Sequence, residues 1–359
     1  MHLRMSKLMF ITPRMTGGLS GGREPLSRLH FECLKDILGD QLVLHELEPH
    51  AARGLEAIAA LRGHINGIVR DTEQAVVARI RAESVDRVYL DGSNLGRLAR
   101  AIQSAHSKVE ILVFFHNVEV RFFAGALRQR PGLKPLGVLI ANWNAERLAV
   151  RHTDRLLVLN KRDSDGLVRL YGRAATDIVP MAIEDRRGGD EGVLAETRDY
   201  LLFVGGDFYA NRAGILWFAR EVAPHLSLDT WVVGTGMEAL RPQLEQAPNM
   251  RVVGSVQALG AYYAGARAVI APIFDGSGMK TKVAEALMFG KHIAGTTEAF
   301  CGYEQIARQA GWVCNSSEEF IATLKNLGPL PRFDPELRAI YERDYSRSAL
   351  RLRLSAILA

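Results

Sequence analysis

Short apolar runs alternate with amphipathic stretches along the whole chain, and this alternation predicts an α/β fold with parallel strands. Runs typical of buried strands lie at residues 7–12, 43–47, 86–90, 109–115, 155–160, 178–181, 200–204, 230–233, 250–254, 268–271 and 291–294. Helices are predicted at 25–38, 54–82, 97–104, 142–152, 161–171, 211–222, 278–289, 318–327 and 335–358, with a short one at 262–264. Strand, loop and helix in this order are typical of doubly wound domains.

The length and the restart of the pattern predict two domains. A chain of 359 residues exceeds one ordinary hydrophobic core. Residues 184–199 are charged and contain glycine, so they are predicted to be a linker. The predicted domains are therefore 1–183 and 200–334, and the last helix, 335–359, is expected to pack back on the first domain.

The strongest chemical pattern follows the strand at 268–271. A loop containing Gly276, Ser277 and Gly278 leads into a helix that Gly290 is predicted to end, and Ser277 is its predicted N-cap. Glycines at a helix start let an anion approach the backbone N–H groups. Lys282 and Glu285 are three residues apart on that helix, so one face offers a cation for phosphate and a carboxylate for hydroxyl groups. A nucleotide sugar carries both groups, although an ordinary capped helix with a surface ion pair explains the same residues.

Four other motifs are candidates for a functional role, and most of them also have a structural interpretation. His116 follows the strand at 109–115, where ligands of such folds bind, and it is a candidate substrate contact. The glycines of the first loop are predicted to close over a ligand, or else to form a plain surface loop: Gly17, Gly18, Gly21 and Gly22. Asp163-Ser164-Asp165 has the spacing of a metal-binding motif, but its position favours helix capping by Asp163. Gly234-Thr235-Gly236 resembles a dinucleotide fingerprint, yet no acidic residue follows the next strand, which argues against a nicotinamide enzyme.

Composition narrows the class of protein. Hydrophobic residues make up 48% and charged residues 24%, as in globular proteins. No apolar run reaches the length of a membrane span, and the first ten residues lack the apolar region of a signal peptide, so a cytoplasmic location is expected. Three cysteines lack metal spacing and are expected to be reduced and mostly buried: Cys33, Cys301 and Cys314.

Charge is distributed unevenly along the chain. Residues 1–183 contain 26 Lys and Arg against 19 Asp and Glu, and the remainder contains 19 against 21. A basic first half suits an anionic partner such as a lipid-linked acceptor or the inner membrane surface, although solvated arginines explain it equally well. Paired Phe122 and Phe123 within this basic region fit membrane contact or the core, and the core is preferred.

Several ordered motifs resemble the retaining glycosyltransferases of the GT-B fold, in the glycosyl transferases group 1 (family four) class. The motif from Gly276 to Lys291 is similar to the family's Gly-Ser-Gly-x-(Arg/Lys)-x-Lys-x-x-Glu-Ala-Met-x-x-Gly-Lys pattern. Supporting stretches are 203–206 with Asn211, 253–256, 116–119, and 154–160 with Asp163. The resemblance implies two Rossmann-like doubly wound domains facing a cleft.

The resemblance also implies roles for individual residues. Glu285 would hold the nucleotide ribose, and the backbone of 277–280 with Lys280 or Lys282 would hold the diphosphate. His116 would lie beside the transferred sugar, with the glycine loop at 17–22 meeting the donor phosphate and the acceptor. The remaining implied donor contacts are Gly206, Arg212, Val256, Gln257, Ser277, Gly278, Met279 and Thr281. The chain departs from the family at three places, with Ser277 for a glutamate, Arg212 as the only cation near the lysine position and His292 for a proline.

The expected function is transfer of a sugar, with retention, from a nucleoside diphosphate sugar to an acceptor hydroxyl in bacterial envelope or exopolysaccharide synthesis. No metal, cofactor or nucleic acid is expected to take part. The acceptor is expected to be lipid-linked or a polysaccharide, with peripheral contact to the inner membrane. Two alternatives remain open: a GT-B epimerase or hydrolase, and a non-catalytic nucleotide-sugar binding protein.

Overall fold

The computed structural model describes residues 6–15, 23–48, 55–129, 131–187, 199–276 and 278–359. The chain divides into two compact units. The first contains the described residues up to Pro180 and returns at Arg351–Ala359, and the second runs from Met181 to Leu350. The four glycines at 17, 18, 21 and 22, Ser277 and most of the predicted linker lie outside the described residues.

The first unit is built on a parallel sheet with strand order β2-β1-β3-β4-β5-β6. Strand β1 lies between β2 and β3, and its Leu8 is paired with Leu42 of β2 on one side and Arg87 of β3 on the other. Its described elements are β1 Leu8–Pro13, α1 Arg23–Leu38, β2 Leu42–Leu47, α2 Leu55–Ala60, α3 Arg70–Ala82, β3 Arg87–Asp91, α4 Gly96–Ala105, β4 Glu110–Phe115, α5 Glu119–Gln129, α6 Leu133–Arg151, β5 Arg155–Val158, α7 Lys161–Tyr171 and β6 Asp177–Ile178.

The second unit repeats the plan with strand order β12-β11-β10-β7-β8-β9. Its described elements are β7 Tyr200–Val204, α8 Tyr209–Glu221, β8 Asp229–Val233, α9 Arg241–Leu244, β9 Met250–Gly254, α10 Gly260–Gly265, β10 Ala268–Ala271, α11 Thr281–Met288, β11 Ile293–Gly295, α12 Ala307–Ala310, β12 Gly311–Val313, α13 Ser317–Lys325, α14 Pro335–Asp344 and the start of α15 Arg347–Leu358. All pairings are parallel. The predicted α/β class with two doubly wound domains is confirmed.

The central strands are apolar on both faces because helices cover each sheet from both sides. Every residue of β7 and β10 is buried, as are the residues Leu8–Thr12 of β1. The three cysteines, all within the described residues, are buried and form no disulfide, as expected. Phe122 and Phe123 of α5 are only half-buried, so the preference for a core position is only partly met.

The predicted helix at 54–82 is wrong in one respect, because the structure contains two helices there. The chain between α2 and α3 turns through left-handed backbone at Gly63, Asn66 and Gly67, with φ of +88°, +55° and +77°. A right-handed helix cannot continue through such residues. The Asn-Gly pair is a turn signal that the periodicity of the neighbouring residues obscured.

Two predicted helix caps need correction. Helix α7 is capped by Asn160 rather than Asp163: the Asn160 side chain accepts a 2.9 Å hydrogen bond from the Asp163 N–H, and its amide donates to the Asp163 carboxylate. Helix α11 begins at Thr281 with Lys280 at its N-cap position, so Ser277 lies too early in the chain to be the cap. Gly290 follows the last turn with φ of +60°, as predicted.

Helix α6 begins nine residues earlier than predicted, at Leu133, and α5 precedes it. Pro135 did not prevent this, because proline in a first helical turn removes an N–H that has no helical partner. The predicted helix at 335–358 is two helices. The Tyr345 carbonyl accepts from the Ile183 N–H, and the Ser346 hydroxyl accepts from the Ala349 N–H to start α15.

The end of the chain is fastened to the first sheet by two arginines, which are the first residues of β3 and β5. Arg87 donates to the Leu358 carbonyl, and Arg155 donates to the Ile357 carbonyl. Helix C-termini carry unpaired carbonyl groups, so these guanidinium contacts satisfy them. In the part of the chain that the structure describes, no helix combines the length and apolar character needed to span a membrane.

The close contact between helices α4 and α6 leads to a prediction about the free energy of unfolding. A Cβ atom at Gly96 would overlap the Ala145 carbonyl and the Ala149 N–H, because the two helix backbones touch there. We expect Gly96→Ala to destabilise the first unit by about 1–3 kcal/mol or more, measured by urea unfolding. Gly137→Ala is the matched control, since its Cβ would meet Leu61 at an ordinary 3.9 Å. Equal effects of the two substitutions would contradict this packing.

Candidate functional site

In the second unit, the two central strands β7 and β10 mark a position where a ligand crevice is expected. The chain connections run outward in opposite directions from β7 and β10, and ligands of open α/β sheets bind at such a switch point. Two loops leave the strand ends here, Gly205 onward after β7 and Pro272 onward after β10. A Cβ at Gly205 would lie 2.8 Å from Asn211 Nδ2, so the first loop is packed tightly against the start of α8.

Lys282 places a cation at this position. It lies in the first turn of α11, its side chain is only 7% exposed, and Nζ donates a 2.8 Å hydrogen bond to Asn211 Oδ1. The same ammonium lies 4.3 Å from the centroid of the Phe203 ring. Burial lowers the pKa of Lys282 to about 7; the nearby Glu285 opposes this effect and Lys280 reinforces it. A neutral amide and an aromatic ring compensate a buried charge only weakly, so an anion would bind this lysine favourably.

Glu285 lies one helical turn after Lys282. Its Oε2 accepts a 3.0 Å hydrogen bond from the Tyr263 hydroxyl, and the Tyr263 ring stacks on Phe289 at 4.6 Å. Burial raises the pKa of Glu285, an effect that the Tyr263 hydrogen bond and the charges of Arg186 and Lys282 partly offset. The carboxylate is therefore held in one orientation, as a group that recognises hydroxyls requires.

Lys280 differs from Lys282, although the family resemblance did not distinguish them. Its Nζ donates to Glu298 Oε1 at 2.9 Å and to the Gly278 carbonyl at 3.0 Å. Lys280 is thus already ion-paired, and its charge stabilises the loop before α11. The geometry favours Lys282 over Lys280 as the group that responds to a bound anion.

The remaining predicted donor contacts of the second unit lie in different surroundings. Arg212 is ion-paired with Asp207 at 2.6 Å, and Gly206 lies in the same loop. Val256 is half-buried and Gln257 exposed after β9, and Thr281 is the first residue of α11. Gly278 has left-handed backbone with φ of +65°. Met279 is buried, and its sulfur accepts from the Met181 N–H, so its side chain is committed to the interior.

The discounted dinucleotide motif has a structural use. Gly234 and Gly236 adopt φ of +151° and +82°, and a single four-residue 3₁₀ turn follows them before α9. Glu238 in that turn accepts a 2.5 Å hydrogen bond from the Ser255 N–H. The segment therefore joins β8 to the end of β9, and it lacks the long helix of a dinucleotide site.

His116 of the first unit forms a buried pair with Asp91. Its Nε2 lies 2.7 Å from Asp91 Oδ1 and 3.4 Å from the Ser27 hydroxyl, and its Nδ1 has no hydrogen-bond partner among the described residues. Burial opposes ionisation of Asp91, yet the His116 charge and hydrogen bond, together with Arg23, hold the pKa of Asp91 well below its usual range. A carboxylate beside Nε2 fixes the proton there and leaves Nδ1 for a ligand.

Asp91 was not identified from the sequence. It ends β3, and His116 directly follows the neighbouring strand β4, with Asp91 paired to Phe114 in the register. Residues at the carboxyl ends of adjacent parallel strands meet at one sheet edge, so the strand order would have revealed the pair. The hydroxyl of Thr12, in β1, donates to the second Asp91 oxygen at 2.7 Å and completes the arrangement.

A second buried acid supports the backbone just after His116. Glu146 of α6 accepts from the N–H groups of Glu119 and Val120 at 2.7 and 3.3 Å, and from the Tyr171 hydroxyl at 2.8 Å. Burial raises the pKa of Glu146 to about 7. Because its partners include the first N–H groups of α5, Glu146 acts as a structural cap for that helix.

A cavity of about 620 Å³ lies in the first unit near these residues. Arg23 joins it to the histidine cluster, since Arg23 lines the cavity and donates to the Asp91 carbonyl at 3.2 Å. Asn94 also lines it, and the buried Asn94 Oδ1 has no partner in the described part of the chain. The wall is otherwise mixed, with apolar groups next to His64, Arg70, Glu119 and Asn142.

The aspartates of the Asp163-Ser164-Asp165 motif are engaged locally. Asp163 accepts from Asn160, and Asp165 is paired with Lys161 at 2.9 Å. Throughout the described ranges, no three His, Cys, Asp or Glu side chains cluster as metal ligands would.

Comparison with known proteins finds similarity to glycosyltransferases in part of the sequence and in the fold. Residues 198–328 match the family model of glycosyl transferases group 1. No curated protein matches the chain. Sucrose-phosphate synthase from Thermosynechococcus elongatus superposes with a TM-score of 0.70 at 13% identity, covering 98% of both chains.

Two further solved structures cover 98% of this chain and 99% of their own. Anabaena HepE in complex with UDP has a TM-score of 0.66 at 14% identity. The apo form of the lipopolysaccharide outer core galactosyltransferase WaaB has a TM-score of 0.63 at 13% identity. The chain therefore has the two-domain GT-B fold expected from its motifs, and its residues 198–328 match the glycosyl transferases group 1 family to which those motifs were compared.

Proposed function

We propose that the protein is a retaining, metal-independent glycosyltransferase that moves a hexosyl group from a nucleoside diphosphate sugar to an acceptor hydroxyl. The observation that carries this proposal is the juxtaposition of Lys282 and Glu285 on α11, at the switch point of the second sheet. A buried cation one turn from an oriented carboxylate suits a diphosphate next to a ribose. Anabaena HepE is solved with UDP, which makes UDP-sugars the first donors to test.

The proposed transfer exchanges one bond of the anomeric carbon for another. The bond between the anomeric carbon and the diphosphate oxygen breaks, a bond to the acceptor oxygen forms, and the acceptor proton passes to the leaving phosphate. Negative charge grows on the diphosphate as it leaves, so Lys282 and the N–H groups at the start of α11 stabilise the transition state more than the ground state. Attack from the side of the leaving group retains the anomeric configuration.

The acceptor is assigned to the first unit. The cavity beside Arg23 and Asn94 offers hydrogen-bonding groups and apolar walls, as sugar rings require, and His116 Nδ1 is available for a sugar hydroxyl. A lipid-linked or polysaccharide acceptor at the cytoplasmic face of the inner membrane, in envelope or exopolysaccharide synthesis, fits the basic first half of the chain.

A thermal-shift screen tests the donor assignment. We expect one of the UDP-, GDP-, ADP- or dTDP-sugars to raise the melting temperature with increasing ligand concentration, because ligand bound to the native state stabilises it. Glu285→Gln should weaken binding about tenfold or more by removing the charged acceptor, while Glu318→Gln, on the exposed start of α13, should not. A nucleotide affinity equal in both variants would reject the ribose role of Glu285.

The lowered pKa of Lys282 leads us to expect that donor binding is accompanied by uptake of a proton. With a pKa of about 7 in the free protein, most Lys282 side chains are neutral at pH 8, and a bound diphosphate raises the pKa and recharges them. We expect uptake of about one proton at pH 8 and affinity that falls as pH rises above about 7. Calorimetry in two buffers of different ionisation enthalpy measures the uptake.

Lys282→Met should abolish this proton uptake, whereas Lys280→Met should retain it. The reason is that Lys280 is ion-paired with Glu298 before the ligand arrives. A binding enthalpy of the unaltered protein that is the same in both buffers would refute the role of Lys282.

His116 is expected to act on turnover more than on donor binding. His116→Gln should slow release of nucleoside diphosphate from the stabilising donor by about 10²-fold and leave the donor-induced thermal shift unchanged. His152→Gln, at the end of α6, is the control. Normal turnover in His116→Gln would exclude contact with the transferred sugar. If the protein and its His116→Gln variant both released free sugar with no acceptor present, the result would favour a hydrolase. Tight donor binding without any turnover would favour a non-catalytic nucleotide-sugar binding protein.

A further inference from the structure

We propose that the outer face of α6, together with the end of α2, docks the first unit on an anionic bilayer. This docking surface consists of Leu133, Leu136, Ile140 and Trp143 on α6 and Ile58 and Leu61 beside it. The proposal deepens the proposed function by assigning its membrane contact to particular side chains, and it rests on that function for its biological purpose.

The four α6 side chains form one stripe. Their spacing of three, four and three residues places them on a single helical face. All four are exposed, and Leu133 is 88% exposed. The opposite face of the helix supplies the packing, through the buried Ala141, Ala145 and Ala149. The helix is therefore apolar on two faces, and only one of them is used by the fold.

Apolar side chains at the end of α2 extend the docking surface beyond the stripe on α6. Leu61 lies against α6 at Gly137, where a Cβ atom would be 3.9 Å from the leucine methyl group. Asn144 of α6 donates a 2.8 Å hydrogen bond to the Leu61 carbonyl, which fastens the two segments together. Ile58, one turn earlier, is 56% exposed. Contiguous exposed apolar groups of this kind mark an interaction site.

The charges around the stripe are positive. Residues 119–151 contain six Lys and Arg and two acids. Glu146 is buried, and Glu119 is half-buried and lines the cavity. Arg62, Arg128 and Lys134 are exposed, and the Arg147 guanidinium lies 5.5 Å from the Trp143 ring centroid.

This combination favours a bilayer over a second copy of the chain. A two-fold symmetric dimer would place each patch against itself and bring its cations together. An anionic bilayer satisfies both features at once, because apolar side chains enter the acyl boundary while Lys and Arg meet the phosphates. Tryptophan with a neighbouring arginine is suited to the interface between the two regions.

Vesicle flotation tests the proposal with the full chain. We expect binding to phosphatidylcholine vesicles that contain phosphatidylglycerol, little binding to phosphatidylcholine alone, and weaker binding at high salt because salt screens the cations. The double variant Leu133→Ser with Ile140→Ser should lower the partition coefficient by roughly tenfold or more. Lys134→Gln should lower it about fivefold at low salt.

The matched control removes two exposed apolar side chains elsewhere in the first unit. Val168→Ser with Leu352→Ser, on α7 and α15, should bind vesicles like the unaltered chain. Equal losses in the two double variants would overturn the proposal. So would a dimer in solution, measured by light scattering, that Leu133→Ser with Ile140→Ser dissociates.

The donor-induced thermal shift separates this proposal from the proposed function. It is measured on the same preparations, and it also shows that each variant is folded. A donor shift without flotation would reject the docking surface alone. Flotation without any effect of a nucleotide sugar would reject the transferase assignment alone.

Discussion

The switch point between β7 and β10 is the constraint on which the proposed donor site depends. Because the connections diverge there, the loops after β7 and β10 leave neighbouring strands, and α11 begins at Thr281 after the second of them. Lys282 projects into this region from the first turn and is desolvated against Phe203. Burial lowers the pKa of that lysine, and the proposed bound diphosphate would raise it again.

The first unit shows a similar use of buried polar groups at strand ends. Asp91 and His116 come from adjacent strands and share a short hydrogen bond, while Glu146 is buried to cap the helix that follows His116. Burial of each acid is unfavourable, and each is retained where its hydrogen bonds hold backbone or imidazole in place. These groups give a histidine nitrogen and a neighbouring cavity a defined geometry.

Much of the fold follows from local pattern. The strands of the second unit were predicted to within one or two residues, apart from β12, because buried parallel strands are continuous apolar runs. Errors occurred where local and tertiary signals conflict. Gly63 and Asn66-Gly67 interrupt a helical periodicity, Pro135 sits inside a first turn, and the break at Tyr345 depends on a hydrogen bond from Ile183. Edge strand β12 has no buried residue, so it lacks the continuous apolar run that marks a buried strand.

The sequence by itself determined the α/β class, the two-domain organisation, and the loop and helix that contain Lys282 and Glu285, since these depend on residues close together in the chain. Only the tertiary structure decided which lysine is already paired, that Asp91 accompanies His116, and that the apolar stripe of α6 faces outward. Glu298 reaches Lys280 and Asn211 reaches Lys282 across 18 and 71 residues of sequence. Contacts at such separations are set by strand order and packing, which periodicity does not encode.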